Sequence, residues 1–168
     1  MKNYYIFRHG LATHSTTGYG DEIFSAHILP EGKKAIERMA EYLKNISTDF
    51  NVSSELIRCQ ETAEIVSRVT GKKFATDSRI NEYSAEENYS NESFEAFRQR
   101  LLTFLLELEQ DEAKQTIIIC THGAVIAGIK HILTEGRFTT DSRFDFPAPG
   151  VLIIVKPDGT IKEMDFNT

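Results

Sequence analysis

One pattern occurs twice in this sequence and limits what the chain can fold into. Tyr4-Tyr5-Ile6-Phe7 is an apolar run that leads straight into Arg8-His9-Gly10, and Thr116-Ile117-Ile118-Ile119-Cys120-Thr121 leads into His122-Gly123. Both runs have the length and the β-branched or aromatic content of buried strands. Each His-Gly pair falls where a central parallel strand ends, and open α/β sheets put their ligand crevices there. The repetition therefore predicts two imidazoles side by side at one sheet edge. Gly10 lets the backbone turn and approach a ligand. Arg8 offers a planar fork of donors suited to an anion, and His9 brings a nitrogen lone pair to the same point.

The rest of the chain alternates in the same way. A first strand over 2–7 is followed by a loop over 11–29, which is either a carrier of substrate contacts or a plain connector. Pro30 opens a helix, Glu31 suits its dipole, and Ala35, Ile36, Met39, Ala40 and Leu43 line one face. A short strand over 50–54 feeds a helix over 55–70 that Gly71 ends, with Leu56, Ala63, Ile65, Val66 and Val69 on its apolar side. A brief strand over 74–76 and a polar stretch over 77–91 precede a helix over 93–111, with Phe94, Phe97, Leu101, Leu102, Leu105 and Leu108 inward. After the second His-Gly come an apolar helix over 123–133, a rigid loop over 146–150, and strands over 151–156 and 160–164 turned by Pro157-Asp158-Gly159. This order predicts an α/β three-layer sandwich: a mostly parallel central sheet with helices on both faces and an antiparallel C-terminal edge hairpin. Residues 1–168 read as a single domain.

Composition narrows the class. The 168 residues are 40% hydrophobic and 26% charged, enough for one globular domain with a full core. No apolar run approaches the ~20 residues of a membrane span. Met1-Lys2-Asn3 leads directly into the first strand, without the apolar region of a signal peptide. Cys59 and Cys120 read as buried thiols rather than a disulfide framework, and a cytoplasmic location is expected. With a formal net charge of −6 and no basic stripe, neither nucleic acid nor membrane is an expected partner. A small anionic substrate stays compatible, because a local arginine cluster decides that.

Arg58 is the next residue to stand out. It falls in the first turn of the helix after the second strand, at the same sheet edge, where a helix N-terminus already attracts anions. A cation there works against the helix dipole, a conflict expected at functional positions. Taken alone, Arg58 reads more readily as a solvated arginine. The histidines alone would read as core residues or a zinc pair; Arg8 beside His9 and the lack of Cys-rich or i, i+4 His spacing disfavour zinc.

Three motifs in order carry a family resemblance: Arg8-His9-Gly10, then Ser54-Glu55-Leu56-Ile57-Arg58-Cys59-Gln60-Glu61-Thr62-Ala63, then Thr121-His122-Gly123. Together they resemble the histidine phosphatase superfamily, over nearly the whole chain. The resemblance implies that His9 is a nucleophile phosphorylated in the cycle, and that Arg8, Arg58 and His122 hold the phosphoryl oxygens, with Gly10 at the same site. Phosphoryl transfer suits such a set, because its charge is spread over three oxygens and catalysis is mainly positioning and electrostatics. No cofactor or metal is implied. Ser78-Arg79-Ile80-Asn81-Glu82 is similar to the family segment whose glutamate is the general acid, so Glu82 is assigned that role, with Glu86 and Glu87 as fallbacks.

The departures from the pattern are specific. Glu55 stands where the family often has Pro, and Glu61 where it often has Gln. Ser15 stands where mutases have a phosphate-touching asparagine, so a phosphate role passes to Ser15 only weakly; His14 either contacts substrate or is solvated. The mutase segment Glu-Arg-x-Tyr-Gly is missing. The resemblance therefore implies a metal-independent phosphatase acting on a phosphorylated small molecule or a phosphohistidine protein. A phosphomonoester is favoured by Glu82, and a phosphohistidine protein by the short segment after the third strand. A non-catalytic phosphate-binding domain is the rival from another class.

Overall fold

The computed structural model describes residues 2–13, 25–84 and 92–168. Six strands form one sheet: β1 (Asn3–Arg8), β2 (Phe50–Ser53), β3 (Ala75–Thr76), β4 (Thr116–Thr121), β5 (Val151–Val155) and β6 (Ile161–Asp165), in the order β3-β2-β4-β1-β5-β6. β3, β2, β4 and β1 are mutually parallel, while β5 and β6 run antiparallel at one edge. This is the α/β sheet that the alternation of elements predicts.

Alternation along the central strands divides the core in two. Tyr4, Ile6, Ile117 and Ile119 face α3 (Phe94–Gln110) and α4 (Gly123–Glu135), with Phe97, Leu101, Phe104 and Ile129 in the same cluster. Phe7, Ile118 and Cys120 face α1 (Lys33–Leu43) and α2 (Ile57–Thr70), with Ile36, Met39, Leu43 and Val66. Strands buried on both faces need apolar residues at every position, which is why β1 and β4 read as continuous apolar runs. Burying one such side chain contributes about 1.5–3 kcal/mol.

The boundaries shift by a few residues for local reasons. β1 extends to Arg8, because parallel pairing with Thr121 continues past the apolar run. Pro30–Gly32 is a 3-10 turn leading into α1, and α2 begins at Ile57. Gly71 ends α2 with φ +76, the left-handed conformation that favours glycine at a helix end. In α3, Leu102 is only half-buried and Phe104 is buried instead, under the guanidinium of Arg79, 5.5 Å from the ring centre. The edge strand β6 exposes Lys162, Glu163 and Asp165, which discourages pairing with another sheet.

Strand register places the site. Arg8 pairs with Thr121 and Ser53 with Cys120, so the residues that follow, His9, His122 and Ser54, come off the sheet in one row. The pairing persists past the strands: the His9 amide donates to the Thr121 carbonyl, the Ser54 amide to the Cys120 carbonyl, and the Asp77 amide to the Ser53 carbonyl, each at 3.0 Å.

Candidate active site

The two rings that follow β1 and β4 are fully buried, with centroids 5.3 Å apart. His9 Nδ1 lies 2.8 Å from the Gly10 carbonyl oxygen. A carbonyl only accepts, so Nδ1 carries the proton and Nε2 keeps its lone pair. That lone pair receives the Arg58 Nε–H at 3.3 Å. Burial, and then the charges of Arg58 and Arg8, hold the His9 pKa well below its ordinary 6.5, so the ring is neutral.

Gly10 orients this ring from inside the fold. Its amide donates to Thr62 Oγ1 at 2.8 Å, and Thr62 in turn donates to the Arg58 carbonyl at 2.7 Å. Both polar groups of the Gly10 backbone are thus engaged by protein. In this arrangement the Gly10 backbone fixes the His9 ring.

Arg58 is the largest fully buried side chain among the described residues. It occupies the second position of α2, and its Nη2 lies 3.8 Å from Glu82 Oε2. A buried guanidinium needs anionic company, and a carboxylate or a phosphate supplies it. Arg8 Nε is buried without a hydrogen-bond partner among the described residues, and the Arg8 guanidinium lies 5.3 Å from the centre of the Phe146 ring. Phe146 also packs on Gly123; a Cβ there would come within 2.6 Å of the ring, so a side chain at the start of α4 would displace the half-exposed Phe146.

His122 Nε2 lies 2.8 Å from Ser54 Oγ and 3.4 Å from Cys59 Sγ, and Nδ1 lies 3.7 Å from Glu82 Oε2. Burial first, then the repulsion that His9 would exert if both rings were charged, and the charges of Arg58, Arg8 and Arg100, hold its pKa well below the ordinary value. Glu82 follows a 3-10 turn, Ser78–Ile80, that Asp77 caps by accepting from the Arg79 amide at 2.9 Å. Arg100 of α3 donates to the carbonyls of Arg79 at 2.6 Å and Glu82 at 3.0 Å, and Thr121 Oγ1 donates to that of Ile80 at 2.6 Å. The Glu82 side chain is 15% exposed. Burial raises its pKa above the usual carboxylate value, against the opposing pull of Arg58, the Tyr83 amide, Arg8 and Arg100.

Arg8, His9, Arg58, Glu82 and His122 therefore converge, as the motifs predict. Ser15, His14, Glu86 and Glu87 lie outside the described residues. Sequence reasoning gave no role to Ser54, Asn81, Thr62 or Arg100, whose work is hydrogen bonding across elements. Glu61, noted only as a departure, accepts from the Ile28 amide at 2.9 Å and pairs with His27 at 3.0 Å, anchoring the return of the loop after β1.

Residues 4–88 and 83–166 match the family model of the histidine phosphatase superfamily, branch 1. The chain belongs to that superfamily. No curated protein sequence matches it significantly. Among solved structures it is similar to a putative α-ribazole-5′-phosphate phosphatase from Escherichia coli, with TM-score 0.81 and 18% identity over 100% of this chain and 98% of the other. It is also similar to a mycobacterial glucosyl-3-phosphoglycerate phosphatase bound to inorganic phosphate, with TM-score 0.74 and 16% identity over 100% of both chains. The protein histidine phosphatase SixA, complexed with tungstate, matches with TM-score 0.68 and 14% identity over 98% of this chain and 97% of the other.

Proposed function

We propose that this protein is a metal-independent phosphatase that hydrolyses a small phosphomonoester through a phosphohistidine on His9. The observation that supports this most is the state of His9: a neutral, buried ring with Nδ1–H given to the Gly10 carbonyl and the Nε2 lone pair directed at Arg58. Nε2 attacks phosphorus as the bond to the leaving oxygen breaks, and Glu82 gives that oxygen its proton. Water then attacks phosphorus as the P–Nε2 bond breaks, gives a proton to the Glu82 carboxylate, and frees His9 and phosphate. Arg8, Arg58 and His122 stabilise the three equatorial oxygens.

Glu82 favours an ester over a phosphohistidine substrate. A raised pKa near the leaving-group side serves an alkoxide, which needs a proton to depart, more than a phosphoramidate nitrogen. The test is rapid quench with labelled substrate in the presence of EDTA, across a panel of phosphorylated metabolites and a phosphohistidine protein. The wild type should turn over an ester and trap acid-labile phosphohistidine, and His9→Ala should do neither. Dependence on added metal, or label on another residue, would overturn the mechanism. Turnover of phosphohistidine alone would move the substrate class, and phosphate binding without turnover would leave a binding domain.

A further inference from the structure

We infer that Ser54 and Asn81 are positioning residues that fix His122 in its Nε2–H form, so that Nδ1 is the atom it presents to the phosphate and to Glu82. The argument is a complete count of donors and acceptors at one hydroxyl. Ser54 Oγ has one proton and two lone pairs. It lies 3.0 Å from Asn81 Oδ1, 3.1 Å from the Leu56 amide nitrogen and 2.8 Å from His122 Nε2.

Each neighbour has one possible role. The Leu56 amide only donates, so it takes one lone pair. The Asn81 amide orientation is fixed by Glu55: the Glu55 backbone N–H donates to Oδ1 at 2.9 Å, and Nδ2 donates to Glu55 Oε1 at 3.2 Å. Asn81 therefore turns an acceptor to Ser54, and the hydroxyl proton goes there. Only a lone pair remains for His122, so Nε2 must be the donor. The nearby Cys59 thiol is too weak a partner to reverse this. With the ring neutral, Nδ1 is bare and faces Glu82 Oε2 at 3.7 Å. It accepts the proton of a phosphate monoanion, or, once protonated, donates to a phosphoryl oxygen.

The test reads the tautomer directly, by long-range ¹H–¹⁵N spectra of histidine-labelled, phosphate-free protein at a pH where the rings are neutral, with His122 assigned from the His122→Asn spectrum. Wild type should show Nε2–H. Ser54→Ala removes the acceptor. Asn81→Ala keeps Oγ in place but frees its proton to turn toward Nε2. Both variants should populate Nδ1–H. On the phosphatase reading above, both should also lower kcat roughly 10- to 100-fold with a smaller change in KM, the scale for losing a residue that orients a catalytic group. Asn81→Asp keeps an acceptor oxygen and should retain Nε2–H, and so should Glu55→Ala, which leaves the Glu55 backbone amide on Oδ1. If Ser54→Ala does not fold, the Asn81 variants decide. Nδ1–H in the wild type, or an unchanged tautomer in Asn81→Ala, would overturn the inference. Because the spectra need no turnover, an inactive wild type would refute the phosphatase reading while this test still stands.

Discussion

The two strand-His-Gly junctions look alike in sequence and differ in how their rings are held. His9 is oriented by the carbonyl of the next residue. His122 is oriented by Ser54, 68 positions away, which Asn81 orients in turn. His9 directs Nε2 into the site and faces a guanidinium; His122 directs Nδ1 and faces a carboxyl group. A repeated motif thus specifies where a ring sits but not which nitrogen it offers. That choice belongs to the nearest donor or acceptor, and at one junction it comes from another element.

The largest effect short of losing His9 is expected at the carboxyl beside His122. Glu82→Gln should lose ~10²–10⁴-fold on an alkyl phosphate, the range for a general acid. It should lose far less on p-nitrophenyl phosphate, whose leaving group departs without a proton. Equal losses on both substrates, measured as kcat/KM, would mean that Glu82 acts by charge or packing alone. The guanidinium beside His9 comes next. Arg58→Ala should lower kcat/KM by roughly two to three orders of magnitude on either substrate, the scale for a preorganised charge stabiliser. Arg68→Ala, exposed on the same helix, should change little. Matching effects at both positions would reduce Arg58 to a structural part.

The smallest expected effect is on stability against pH, and it treats the two rings alike. Both histidines titrate below 6.5 in the folded protein, while the unfolded chain titrates near the ordinary value. Between those values the unfolded state binds more protons, so stability falls as pH drops through 6.5 toward the folded pKa. Glu82, with its pKa raised above 4.5, acts in the opposite sense: its contribution falls as pH rises from 4.5 to the folded value. Thermal melts should therefore lose less on acidification below pH 6.5 in His9→Asn and in His122→Asn than in wild type. A wild-type slope in both variants would show that neither ring is held neutral by the fold.

Much of the architecture is legible in the residues themselves. β1 and β4 announce themselves because strands covered on both faces must be apolar throughout, and Gly71 and the Asp158-Gly159 turn mark their own boundaries by conformation. Phe104 lies on the three-and-four row of Phe97, Leu101 and Leu108, so spacing marks it as inward, while Leu102 lies off that row and is only half-buried. Arg8, His9, Arg58 and His122 could be named because each combines a chemically distinctive side chain with a strand or helix end, whereas Glu82 is named from the resemblance of residues 78–82 to a segment of the family.

Thr62, Ser54, Asn81 and Arg100 carried no such mark, since a hydroxyl, an amide or one more arginine occurs anywhere on a soluble surface. By itself the sequence determined the alternating elements, the sheet-edge location of the histidines and the types of group available there, because propensity, periodicity and turn chemistry act over a few residues. Only the tertiary structure decided that Arg58 meets His9 Nε2 at 3.3 Å, that Glu82 stands between Arg58 and His122, and that Ser54 receives its orientation from Asn81. Those are contacts between residues 24 to 49 positions apart. Their geometry follows from strand register and helix packing, which no local stretch of chain contains.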